Sequence, residues 1–190
     1  AMFELNTDNL TGKCLISSPF MQDEHFHKTV VYICSHGKDG AMGFIINQQI
    51  EDISFADLAS QLPIGQFNNT RDFNLYNGGP LEKIRGFVIH STDYIKGDTI
   101  VVDKQIAVSS SIDIISDIAF GMGPKENIIA LGYSSWGPQQ LEKEIMNNNW
   151  IVTSPGTDLV FHTKAEEKWE TALREAGINI DQLSQFSGRA

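Results

Sequence analysis

The stretch Gly40-Ala41-Met42-Gly43-Phe44-Ile45-Ile46-Asn47 limits what this chain can fold into more than any other. Glycines at its entry let another backbone come close, the apolar run suits a buried strand, and the amide of Asn47 marks where that strand surfaces. A near-echo, Gly86-Phe87-Val88-Ile89-His90, follows later. Both are expected to be core strands, neighbours in one sheet, with Asn47 and His90 emerging at a shared rim.

A chain of 190 residues can bury one substantial core and is short for two, so a single domain over residues 2–190 is expected, Ala1 ahead of Met2 reading as a remnant of preparation. No apolar run approaches the roughly 20 residues of a membrane-spanning helix. The start lacks a basic segment followed by an apolar one, so no secretory signal is expected. Cys14 and Cys34 sit in apolar, strand-like surroundings without a Cys-x-x-Cys spacing, the pattern of reduced core thiols in a cytoplasmic protein. A formal charge of -10, with the cations scattered, disfavours direct nucleic-acid binding.

Along the chain, Gly12–Ser17 reads as a first strand stopped by Pro19, and Phe20–Lys28 as a helical turn or loop. Thr29–Cys34, the Ser35–Gly40 turn and the central run form an antiparallel hairpin. Ser54 caps a short helix with Phe55, Leu58, Ala59 and Leu62 on one face, ended by Pro63. Extended segments follow at Phe73–Tyr76, Gly86–His90, Thr99–Val102 and Ile106–Val108. A second helix begins at Ser109–Ser111 and buries Ile112, Ile115, Ile118 and Ala119. Asn127–Gly132 is another core strand, Gln139–Asn148 a helix burying Leu141 and Ile145, and Trp150–Val152 a short strand. The last helix has a capping box from Thr163 and Glu166, an apolar face of Ala165, Trp169, Ala172, Leu173 and Ala176, and Gly177 as its stop.

The set formed by Gly40–Asn47, Asn77-Gly78-Gly79-Pro80, Gly86–Ser91, Leu131-Gly132-Tyr133, Trp136-Gly137 and Gln140-Leu141-Glu142 resembles the AlgH/YqgE-like family of bacterial proteins. Leu15–Pro19 and Phe26–Val30 look like the family's opening, and Trp150 falls where the family has a tryptophan. The resemblance implies an α+β fold, with an antiparallel-rich, barrel-like or bifurcated sheet surrounded by about four helices, in a cytoplasmic protein. It implies no settled activity, although some members are labelled transcriptional regulators. Gln48-Gln49 and Gln139 depart from the family's usual proline and glycine at those steps.

Several residues bear on chemistry. His25 and His27 flank Phe26, a His-x-His pair that on a strand would face one way, but two ligands make no metal site, and no cofactor is implied. His90, with Ser91 and Asp93 after it, has the makings of a general base beside a hydroxyl; no Gly-x-Ser-x-Gly elbow accompanies it, and a hydrogen-bonded structural histidine is the plainer reading. Gly78 and Gly79 offer backbone N–H groups to an anion, or simply a tight turn. Gln140 and Glu144 share a helix face, Trp136 packs over that helix start, and Glu142 points elsewhere, able to satisfy loop amides. Asn47, Gly78, Gly79, His90, Trp136, Gln140 and Glu142 are therefore the candidate ligand-binding residues. The leading function is a non-catalytic binding or regulatory module with a protein or small-molecule partner; the rival is a hydrolase built on His90, and a DNA-binding regulator comes third.

Overall fold

The computed structural model describes residues 9–21, 23–60, 75–179 and 181. Leu62, Pro63, Phe73, the loop at 64–71 and most of the two chain ends lie outside them. Among the described residues are ten strands and four α-helices, in the order β1 (Cys14–Ser17), β2 (Val30–Gly37), β3 (Gly40–Ile45), β4 (Gln49–Ile50), α1 (Phe55–Ser60), β5 (Leu75–Asn77), β6 (Leu81–Ser91), β7 (Ile100–Val101), β8 (Ile106–Ser109), α2 (Ile112–Ala119), β9 (Asn127–Trp136), α3 (Gln140–Met146), β10 (Trp150–Thr153) and α4 (Ala165–Glu175). The fold class is α+β, as the family resemblance implies. No helix among the described residues is long and apolar enough to cross a membrane.

The described chain forms two compact units, one from the residues up to Gly43 together with those from Ser135 onward, the other Phe44–Ser134. In the first unit the strand order is β10-β1-β2-β3. β1 is antiparallel to both flanking strands, Leu15 facing Val152 on one side and Val31 on the other. Its four residues are all buried, which explains why the run has no polar alternation. The β2–β3 hairpin turns on Lys38–Asp39 and is longer than the composition suggested, because β2 continues through the polar Ser35 and His36. α4 buries Trp169, Ala172 and Leu173, and the Trp169 indole N–H donates to the Ser17 carbonyl at 2.9 Å, tying helix to sheet.

The start of α4 differs from expectation. Lys164 is its N-cap and no side chain caps it, because the Thr163 hydroxyl donates instead to the Asp158 carbonyl, closing a π-turn over Asp158–His162. Lys168 is buried at 1% exposure with its ammonium donating to the Val160 carbonyl at 3.0 Å. A lysine on the inner face of an amphipathic helix is what periodicity alone would place outside.

In the second unit the order is β7-β8-β6-β9-β5-β4. All its pairs are antiparallel except β5–β9, where Asn77 lies level with Leu131. The core joins Phe55, Leu75, Val88, Ile129 and Leu131 to Ile114, Ile115 and Ile118 of α2. Ile112, expected on the buried face, is exposed, and Ile114 takes its place. At α1 the Ser54 hydroxyl accepts from the Asp57 N–H while the Asp57 carboxylate accepts from the Ser54 N–H, a reciprocal cap. The Gly-Phe echo has a packing role in this unit, bringing the rings of Phe44 and Phe87 to a 5.0 Å centroid separation. The neighbours of β6 are β8 and β9, however, not the Gly40 strand.

Candidate functional site

The candidate residues divide between the units. Asn47, Gly78, Gly79 and His90 belong to the second; Trp136, Gln140 and Glu142 belong to the first.

In the second unit Asn47 and His90 do not share a rim. Asn47 precedes Gln48, whose carbonyl accepts from Asn77 N–H, level with Leu131, whereas His90 faces Asn127. Four residues along β9 separate those levels, about 13 Å. His90 has no solvent exposure. Its Nδ1–H donates to the Ser91 carbonyl at 2.8 Å, so Nε2 is the acceptor and takes the Ser109 hydroxyl at 2.8 Å. Burial holds the imidazole below its ordinary pKa of 6.5, against the opposing pull of the Ser91 bond. Ser91 and Asp93, expected to work with His90, bond each other and the amides of Glu126 and Lys125 instead. Burial pushes the Asp93 carboxyl up, but these bonds hold it below the usual carboxylate range.

Gly78 and Gly79 are buried at a backbone crossing. A Cβ on Gly78 would lie 2.3 Å from the Gly132 carbonyl oxygen, and one on Gly79 2.2 Å from that of Tyr133. Gly78 N–H donates to Leu131 and Gly79 N–H to the Asn77 side chain, so the two donors an anion nest would present are already taken. The glycines are there to let two backbones touch.

In the first unit the loop after β9 is held by side chains of α3. Gln140 accepts from Gly137 N–H at 3.0 Å and donates to Glu144 at 3.0 Å. Glu144 also accepts the indole N–H groups of Trp136, at 3.2 Å, and Trp150, at 3.0 Å. Those two rings and Phe26 stack within 6.1 Å of one another. Trp136 and Gln140 thus hold the junction in place. His25 and His27 lie at a 3-10 turn rather than on a strand, and among the described residues no three metal-ligating side chains cluster.

Glu142 does something the sequence did not reveal. Its carboxylate accepts the Nε2–H of His36 at 2.6 Å, and that proton assignment follows because Nδ1 of His36 accepts the Leu10 N–H at 2.9 Å. The imidazole is 98% enclosed and the carboxylate about three-quarters so, with side-chain exposures of 2% and 26%. The pair forms the wall of an open depression of about 530 Å³, lined also by Lys38, Gln139, Lys143 and Met146. Gln139 enters α3 with φ +63°, a left-handed conformation uncommon outside glycine. Both thiols are chemically quiet: burial pushes Cys14 up to about 12 and Cys34 to about 11.

A family described as AlgH-like matches residues 14–181. The chain belongs to the AlgH-like family. Among its relatives, a UPF0301 protein of Cereibacter sphaeroides is 43% identical over 183 residues, covering 96% of this chain and all of that protein. One from Rhodospirillum rubrum is 41% identical, covering 95% and 94%. The solution structure of the AlgH protein from Pseudomonas aeruginosa superposes with a TM-score of 0.79 at 33% identity, over 93% of each chain. A crystal structure of a Corynebacterium diphtheriae protein shares the AlgH-like fold, with a TM-score of 0.69 at 17% identity over 86% and 85%.

The residue most plainly missed in this AlgH-like chain is His36, which looked like part of a turn. Its one visible signal is period two: with Val30 through Cys34 extended, His36 falls on the face of Tyr32 and Cys34 if β2 runs on.

Proposed function

We propose that the protein is a binding module that engages its partner noncovalently through the depression beside His36 and Glu142. What carries this reading is the commitment of its polar chemistry. Each enclosed imidazole has both nitrogens bonded to the protein, His36 to Leu10 and Glu142, His90 to Ser91 and Ser109. A general base needs a nitrogen within reach of a substrate proton, and neither offers one. The hydrolase reading depended on His90, which is sealed from solvent. The depression, by contrast, combines a volume in the range of small-molecule sites with a wall oriented by a short hydrogen bond.

Mass spectrometry of natively isolated protein, wild type against Lys143→Glu, tests this. The reading expects a molecule retained by the first and lost from the second. Identical profiles would contradict it.

A further inference from the structure

The charge of the depression is opposite to that of the molecule around it. The chain carries a formal charge of -10, yet the ionisable side chains lining this hollow are Lys38, Lys143, His36 and Glu142. The Glu142 oxygen nearest the wall already accepts the His36 proton. Lys38 and Lys143 are exposed, and neither ammonium bonds or ion-pairs with any described residue. Two unengaged cations at one concavity stand out in a chain with 14 basic residues against 24 acidic ones and give the hollow a local positive charge. Beside them Met146 presents an apolar side chain that is 76% exposed, one of the largest exposures among the apolar residues described. Methionine is a flexible surface that adapts to varied apolar shapes.

We infer that the depression binds a small amphiphilic organic anion, its charged head between Lys38 and Lys143 and its apolar part against Met146. This rests on the binding reading above and adds the chemical class of the ligand. Polyanions such as nucleic acid are disfavoured by the net charge around the site, whereas a compact anion feels chiefly the two nearby ammonium groups. Gln139, left-handed at the head of α3, and Glu142, bonded to His36, complete the lining of the concavity.

The test is an NMR titration of the whole protein with three eight-carbon probes: octanoate, octanol and octylammonium. Octanoate is expected to produce saturable shifts at the amides of Gly37, Lys38 and Lys143 while the other two do not. In a Lys38→Gln, Lys143→Gln double variant, its affinity should fall about tenfold, the scale of two solvent-screened charge contacts. Both lysines are exposed, so the variant keeps the fold. Octanol or octylammonium saturating the same amides as tightly as octanoate would overturn the anion assignment while leaving the depression as the binding site. Octanoate shifts unchanged in the double variant would also overturn it. If no probe perturbs these amides, both the inference and the binding reading fail.

Discussion

The two enclosed imidazoles, His36 in the first unit and His90 in the second, are wired in opposite senses. His36 accepts a backbone N–H at Nδ1 and donates from Nε2 to a carboxylate; His90 donates from Nδ1 to a backbone carbonyl and accepts a hydroxyl at Nε2. The second passes through the buried Ser109 to the half-buried Thr99 hydroxyl at 2.7 Å, which lies 2.7 Å from the Lys96 carbonyl, so it ends on backbone. The first ends at a partly exposed carboxylate facing a depression. A histidine at the end of a core strand is therefore no guide to a site by itself; what matters is where its hydrogen-bond chain comes out.

The largest effect that would sharpen this contrast is on stability. His90→Ala leaves a cavity and strips partners from Ser91 and Ser109, and should destabilise by about 3 kcal/mol in a denaturant titration, without changing octanoate affinity. His36→Ala should cost about 2 kcal/mol and also weaken octanoate, because Glu142 loses its anchor. If His90→Ala weakened octanoate as much as His36→Ala, the two would not differ in the way described.

The first unit also holds the buried Lys168, whose burial brings its pKa down from 10.5 to about 8. That displacement corresponds to about 3 kcal/mol against the charged form. Lys168→Met keeps the aliphatic packing and removes the burial cost of the ammonium together with its bond to Val160, so a net stabilisation of about 1 kcal/mol at pH 7 is expected by thermal or chemical denaturation.

Dependence on pH separates the units further. Because His90 titrates below 6.5 when folded, the unfolded chain binds more protons just beneath that pH, and stability falls as pH drops through the window. His90→Gln should flatten this acid limb. At the alkaline end Lys168 makes stability rise from about pH 8 as the buried ammonium loses its proton. Above 9 the two thiols act oppositely, since the unfolded chain releases their protons first, and Tyr94, also raised by burial, adds to the loss beyond 10. The first unit's groups thus predict a shallow stability maximum near pH 9 that Lys168→Met removes. Smallest of all, the Lys38→Gln, Lys143→Gln double variant should stay within about 0.5 kcal/mol of wild type.

What was legible in the sequence was local. The β2–β3 hairpin, the Ser54 cap and the Leu141–Ile145 face of α3 follow from turn chemistry and periodicity within a few residues. The illegible features join distant parts of the chain: His36 to Glu142 across 106 positions, Asn77 alongside Leu131 in a parallel pair, and the backbone crossing that requires Gly78. Thr163 shows how a sound local rule loses, its hydroxyl drawn to the π-turn carbonyl of Asp158 rather than to the helix it precedes. Of the site candidates, Glu142 lines the depression, while Trp136 and Gln140 support the neighbouring junction.

Long-range nitrogen–proton NMR correlation of the histidine rings at pH 7 reaches the central claim directly. Opposite placements are expected, with the proton on Nε2 in His36 and on Nδ1 in His90. A His90 ring carrying its proton on Nε2, or exchanging between forms near neutral pH, would restore a usable base in the core and contradict it.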